Sequence, residues 1–332
     1  MSDNIPLEIQ LEIIKRVPVK SVVECRSLDD EIKFVSIVDD DTFPNQKSSL
    51  TVPQPVSLVA PISTLISVDG LLCFYGSREY VIDDKIAVLW NPSVGKAVGI
   101  PISNPLLHPD GHTYVGFGVC PNTSDPKLVR INTTGYWTVL NWEVEVFTLS
   151  TRVWKSVSNI PPAFKTCDLT FHHVFVDGFI YWPVYDDTDL IISFDLKSDE
   201  FGEVCLPDSL VHMNGLLSKV YESLGFFTYY NDGVGESFCD VWIMKEGVTK
   251  SFTKMLSIKP PDRVSYRVLQ LRKNGEVIIE TADDLSSSIL EVYEPSSGRI
   301  NGVGLNGRFG SFSLNSYMET LLLLNESNSI IH

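Results

Sequence analysis

The six cysteines of this 332-residue chain include no Cys-x-x-Cys pair. Cys25, Cys73, Cys120, Cys167, Cys205 and Cys239 lie far apart, which argues against the common zinc frameworks and against a dithiol redox motif. Positive charge is also scarce: 26 Lys and Arg stand against 42 Asp and Glu, a formal charge of −16. Nucleic-acid binding draws its affinity from clustered Lys and Arg that release counterions, so a phosphate-backbone partner is not expected. Basic or neutral protein partners remain compatible. Long apolar runs are missing as well. The longest aliphatic stretch near the C-terminus, Leu321 to Leu324, falls far short of the roughly 20 residues that cross a bilayer. With no signal-peptide pattern before Asn4, the expectation is an intracellular chain, cytoplasmic or nuclear, with reduced cysteines and no membrane partner.

Catalytic signatures are equally thin. Neither Gly-x-Ser-x-Gly nor His-Glu-x-x-His occurs, and these spacings are what place a nucleophile in an elbow or two ligands on one helix face. His172 and His173 are adjacent, so a regular strand points them to opposite faces and they cannot share a metal. The Asp186, Asp187 and Asp189 cluster lacks the glycine and distal glutamate of a calcium loop. Gly116-Phe-Gly118 and the Gly304, Gly307, Gly310 series open no convincing helix, as a phosphate site requires. No catalytic residue, metal or cofactor is expected.

The opening segment, IPLEIQLEIIKRVPVKSVVECRS, is what the chain does have. On a helix, Leu7, Ile9, Leu11, Ile13, Ile14 and Val17 sweep roughly 200°, wider than an ordinary surface stripe. Pro6 suits a first turn capped by Asn4 or Asp3, and Pro18 ends the helix at Val17. A second short helix is expected from about Val19 to Leu28. A unit of about 40 residues without metal or disulfide needs a partner to complete its core.

After it come short apolar runs rich in Val, Ile, Phe, Tyr, Trp and Thr, separated by Gly, Pro, Asn and Asp, which read as strands. They repeat. A strand-turn-strand pattern recurs as IAVLWNPSVGKAVGIP, VEVFTLSTRVWKSV, IISFDLKSDEFGEVCLP, CDVWIMKEGVTKSFTKML and LEVYEPSSGRINGVGL, marked by Trp90, Phe147, Phe194, Trp242 and Tyr293 at spacings of 57, 47, 48 and 51. A glycine opening a strand recurs at Gly70, Gly118, Gly178, Gly225 and Gly275, at spacings of 48, 60, 47 and 50. Both patterns stretch in the second unit, which predicts an insertion around Asn132 to Asn141. Units of this length built of short strands point to a β-propeller. About six blades are expected, seven being the alternative. The closing blade is expected from the strand-like pieces around Thr51 to Ile66 and near Phe309 to Ser313 and Tyr317 to Leu324.

The opening residues resemble an F-box: Ile5-Pro6, Glu12-Ile13, Arg16 to Val22 across the proline break, and Cys25-Arg26-Ser27. Phe34 aligns with the tryptophan that follows in that family, with Asp29, Asp30 and Glu31 in place of its basic patch. The later pieces, from DGLLCFY and LWNPSVGKAVGIP through HHVFVDGFIYWPV to YMETLLLL, resemble the F-box-associated, kelch-like domain of plant F-box proteins. The resemblance implies a mainly β fold, with a helical F-box-like module over residues 1–44 and a propeller over residues 45–332.

It further implies a non-catalytic substrate-recognition subunit of an SCF-type cullin-RING ubiquitin ligase. Ile5, Pro6, Ile9, Ile13, Val17, Pro18, Val19, Val22, Phe34 and Ile37 would bind a Skp-family adaptor and through it a cullin. The propeller would hold a target protein, with Tyr136, Trp137 and Trp142 of the second unit as candidate anchors. The alternatives are a propeller scaffold that has lost adaptor binding and a propeller enzyme or small-ligand binder.

Overall fold

The computed structural model describes residues 20–27, 31–102, 111–134, 141–161, 167, 169–184, 190–211, 213, 215–231, 237–245, 251–259, 265–284, 286–323, 326 and 328–331. Three strands come first: β1 (Lys20–Arg26), β2 (Ile32–Val38) and β3 (Lys47–Ser49). A single helical turn, Gln54–Ser57, leads into blade 1, made of β4 (Val59–Val68), β5 (Leu71–Arg78), β6 (Val81–Asn91) and β7 (Lys96–Pro101). Blade 2 holds β8 (His112–Val119), β9 (Pro126–Thr134), β10 (Asn141–Thr148) and β11 (Val153–Val157). Blade 3 holds β12 (Val174–Val176), β13 (Phe179–Pro183), β14 (Leu190–Asp195) and β15 (Glu200–Cys205). Blade 4 holds β16 (Gly215–Val220), β17 (Ser223–Asn231), β18 (Ser237–Lys245) and β19 (Ser251–Ile258). Blade 5 holds β20 (Ser265–Leu271), β21 (Val277–Ala282), β22 (Ser288–Glu294) and β23 (Arg299–Gly307).

The sixth blade joins the two ends of the chain. β24 (Ser313–Tyr317) pairs antiparallel with β1, giving the order β24-β1-β2-β3. β24 packs on β4, β4 on β8, β12 on β16 and β20 on β24, so the first strand of each blade lines the axis. Closure therefore uses an innermost strand from late in the chain and three outer strands from its beginning. Residues 20–49 thus belong to the ring, where a helical module ending at 44 was expected, and the expected helix from Val19 to Leu28 is strand β1 from Lys20 onward. The Thr51 to Ile66 stretch, expected in the closing blade, instead leads into and forms most of β4.

The reason lies in the side chains. Val22, Val23, Ile32, Val35, Ile37 and Val38 are β-branched, a class that favours strands. A blade is covered on both faces, so its strands lose the alternating signature that would distinguish them from a buried helix. Alternate residues of β1 and β2 enter different interfaces. Val22 and Phe34 pack with Leu72, Phe74 and Trp90 of blade 1, while Val23, Cys25 and Ile37 pack with Ile278, Leu290 and Val292 of blade 5.

The same division holds around the ring. Six apolar clusters occur among the described residues, one at each interface between adjacent blades. The repeated aromatics occupy the third strand of their blades, and each faces the preceding blade: Trp90 toward blade 6, Phe147 toward blade 1, Phe194 toward blade 2, Trp242 toward blade 3 and Tyr293 toward blade 4. Ile37 stands in the equivalent place on β2, next to last in its strand and facing blade 5. It lies 53 residues before Trp90, so it is the sixth marker of the repeat.

Each aromatic strand ends in a similar turn. In blades 1, 2, 3 and 5 the fourth loop residue is left-handed, Gly95, Arg152, Asp199 and Gly298, with φ of 64°, 55°, 56° and 71°. The N–H of Arg152, Asp199 and Gly298 donates to the carbonyl of Thr148, Asp195 and Glu294 at 2.8 to 2.9 Å.

The glycine pattern is less uniform. Gly70, Gly178 and Gly275 lie in turns before a second strand, and Gly225 is in β17. Gly118, however, lies in the first strand of blade 2. Its long spacing to Gly178 therefore compares different elements. Much of that unit's extra length lies in strands of 8 and 9 residues, where blade 3 has 3 and 5, and in the longer turn between them. Of the insertion expected around Asn132 to Asn141, residues 135–140 lie outside the described residues. Gly116 and Gly118 are sites of close approach: a Cβ at Gly116 would overlap the Trp182 ring, and one at Gly118 would press on Phe175 and Leu196.

Beyond β24 the chain crosses under blade 1 and adds β25 (Ser329–Ile330), parallel to β7. It passes over Gly70, whose φ of 79° and lack of Cβ admit the Met318 carbonyl. Buried Asn91 donates from Nδ2 to the carbonyls of Thr320 and Leu322 at 2.8 and 2.7 Å. Leu323 enters the cluster between blades 1 and 2. Lys20 and Glu319 form an ion pair beside the β1–β24 seam. Within blade 5, buried Glu280 accepts from Arg267 Nε at 2.8 Å, Ser288 Oγ at 2.7 Å and the Gly310 N–H at 2.8 Å, fixing the approach to β24.

Two expectations follow for stability. Asn91→Ala strands two carbonyls and should cost about 1–3 kcal/mol, read by urea unfolding, with residues 318–331 cleaved by protease before the rest of the ring. Burial pushes the Glu24 carboxyl up to about 7 from 4.5, with Arg26 opposing. The folded state then holds its proton where the unfolded chain has lost it, so stability falls as pH rises from 4.5 to about 7 and stays reduced above. Glu24→Gln should raise the thermal midpoint more at pH 8 than at pH 5; an equal shift at both would contradict this.

Candidate functional site

Antiparallel pairing makes the two ends of the ring unlike. The starts of first and third strands and the ends of second and fourth strands share one end. The strand ends that the blade-to-blade connections join lie there, the connections being residues 50–58, 102–111, 158–173, 206–214, 259–264 and 308–312 of the sequence. The opposite end carries tight turns such as Asp69-Gly70, Asp177-Gly178 and Tyr221-Glu222, together with the four-residue loops. Long connections on a rigid ring are where binding residues concentrate, so the long-connection end is the candidate site. The chain enters β1 through Lys20 at the other end, opposite Tyr317.

Several described side chains shape the candidate end. The Phe171 ring lies 5.1 Å from Tyr114 and 6.3 Å from His112, and it is 47% exposed while Tyr114 is buried beneath it. His172 is exposed beside it. His173 is buried, its Nε2 accepting from the Phe117 N–H at 3.1 Å and its ring 6.0 Å from Trp182. Burial, with His172 nearby, lowers its pKa to about 3, so it is a neutral packing residue that ties blade 3 to blade 2. On blade 1, the Glu79-Tyr80 turn carries Tyr80 and Val81 into solvent, and Leu216 at the start of β16 is also exposed. Tyr80 and Phe171 are surface aromatics that sequence reasoning passed over. For Tyr80 a signal existed, an apolar pair set among charges in REYVIDD; for Phe171 none did.

The candidate contacts divide into three groups. Ile5, Pro6, Ile9, Ile13, Val17, Pro18, Val19, Tyr136 and Trp137 lie outside the described residues. Val22, Phe34 and Ile37 are buried between blades, so they are ring-closing core rather than an adaptor surface. Phe34 sits 5.5 Å from Phe74 and 5.8 Å from Trp90, edge-on to both. Trp142 is likewise buried, packed between blades 2 and 3 with Phe201 at 6.0 Å, and is not an exposed anchor. The indole and aliphatic surfaces that looked available in sequence are taken up by blade packing.

Among the described residues, no group of three or more His, Cys, Asp or Glu is placed to hold a metal. No helix there is long and apolar enough to cross a membrane. Burial pushes the Cys239 thiol up to about 12 and Cys73 further still, the opposite of an activated nucleophile. What the arrangement offers is a rigid surface with exposed aromatics.

Residues 24–323 match the family described as the F-box associated beta propeller domain. An F-box/kelch-repeat protein of Arabidopsis thaliana is 26% identical over 77% of this chain and 68% of its own length. The F-box protein CPR1 of the same plant is 22% identical over 96% of this chain and 89% of its own. Among solved structures, the β-propeller domain of the Trilobed protease from Pyrococcus furiosus is similar, with 12% identity, 76% of this chain and 72% of that one covered, and a TM-score of 0.41. That last likeness says nothing of this chain's chemistry.

Phe34→Ala should destabilise the isolated chain by about 3–5 kcal/mol, measured by chemical unfolding. An adaptor contact at the surface would leave the isolated chain's stability unchanged.

Proposed function

Because this chain belongs to the F-box associated β-propeller family of plant F-box proteins, we propose that it acts as a substrate-recognition subunit of an SCF-type cullin-RING ubiquitin ligase. The observation that carries this reading is the family match across nearly the whole ring. The chain itself does no covalent chemistry in this role. Residues ahead of β1, with Ile5, Pro6, Ile9, Ile13, Val17, Pro18 and Val19 as contacts, engage a Skp-family adaptor. The long-connection end holds the target protein. Entry into β1 from the short-turn end keeps the adaptor side and the target side apart, and the stiff ring converts binding into proximity between target lysines and the charged enzyme.

A second reading draws on the burial of Val22, Phe34 and Ile37. Residues that a complete F-box would present to the adaptor are committed to blades here, which favours a target-holding scaffold without adaptor binding. One experiment separates the two. Purified Skp-family adaptor should bind the full chain saturably, and Val17→Asp should abolish that binding without moving the thermal midpoint. Absence of binding by the parent chain transfers the assignment to the scaffold.

A further inference from the structure

We infer that the Glu79-Tyr80 turn of blade 1 is the principal anchor for the target protein, and that the surface it fits is an apolar pocket on a folded protein, edged by lysine or arginine. The inference rests on the reading that the long-connection end binds a target. Tyr80 is 75% exposed and Val81 53%, so neither serves the core. Both turn residues are left-handed, Glu79 at φ 50° and Tyr80 at φ 65°. Two-residue hairpins of this hand strongly favour glycine at the second place, and the same protein obeys that preference elsewhere: Asp69-Gly70 has φ of 48° and 79°, and Asp177-Gly178 has 47° and 81°. A bulky residue held at positive φ is strained, and such strain gathers at functional positions.

The turn is braced for display. The Glu79 N–H donates to the Leu58 carbonyl and the Tyr80 N–H to the Ala60 carbonyl, each at 2.9 Å. Below it, Arg78 Nε donates to Asp84 Oδ2 at 2.6 Å and Lys85 Nζ to Ser77 Oγ at 2.9 Å. A register shift between Ser77 and Arg78 takes residues 82–84 out of the pairing, and Arg78 pairs with Val81 to close the tip. Exposed aromatics fixed before binding are the usual centres of protein interfaces, because little ordering entropy is lost on docking. Charge identifies the rim of the pocket. Glu79 and Asp83 are exposed on either side of the apolar pair, and the whole chain carries −16, which favours a basic border.

The test uses the full chain with a photo-crosslinking phenylalanine analogue placed at position 80, 171 or 221, in extracts of cells producing the chain. The protein captured is purified and titrated against the parent and variants. Tyr80→Ala should weaken binding at least tenfold, and Tyr80→Gly should weaken it similarly while leaving the thermal midpoint unchanged or raised. Glu79→Gln with Asp83→Asn should slow association and flatten its salt dependence. Binding that survives Tyr80→Ala but is lost in Phe171→Ala overturns the anchor and keeps the long-connection end as the binding face. Binding insensitive to both, capture only through position 221, or no capture at positions 80 and 171, overturns the anchor and that face together.

Discussion

Everything in this protein depends on apolar packing between neighbouring blades. A four-stranded blade cannot bury both of its faces alone, so each lends one face to the blade before it and one to the blade after, and the arrangement is satisfied only when the ring closes. The aromatic slot on each third strand shows the rule at residue scale. Trp90, Phe147, Phe194 and Tyr293 are buried against the preceding blade, and opening the ring at any seam would expose one such cluster on each side.

Closure explains why the ends of the chain are built as they are. β24 alone would be a lone inner strand and β1–β3 a sheet lacking its inner edge; pairing supplies both deficits at once. The tail then returns beneath blade 1, satisfies Asn91 and covers the edge of β7 with β25. An uncovered strand edge invites pairing with other chains, and here the chain's own tail occupies it. Short turns suffice at that end because they join neighbouring strands within a blade. Passage from an outer strand to the next inner one needs longer connections, all at the other end. The asymmetry that makes one end a binding surface is thus a consequence of strand order.

The repeat was legible because aromatic slots and turn residues are local. NPSVG, LSTR, LKSD and PSSG can each be recognised without knowing what they pack against, and their order gave blades 1, 2, 3 and 5. The sixth unit was hidden because Ile37 fills its aromatic slot and residues 39–46 replace the four-residue turn. The opening segment misled for a related reason. Val22, Phe34 and Ile37 look like surplus apolar surface until blades 1 and 5 are brought against them, and Trp142 looks like an anchor until Phe201 covers it. Among surface residues, the tension at Tyr80 was invisible, since left-handed geometry at a tyrosine is a property of the hairpin it closes.

The sequence by itself determined the class of protein: a ring of strand repeats, acidic, and close in pattern to F-box-associated propellers. Periodicity, turn chemistry and charge are carried by neighbours in the chain, so they survive without coordinates. Only the tertiary structure decided the allegiance of residues 20–49, which blade received the tail and which aromatics reach solvent. Those outcomes depend on contacts between segments nearly the full length of the chain apart, as between Lys20 and Glu319, and no local pattern encodes which of two apolar surfaces a buried strand will meet.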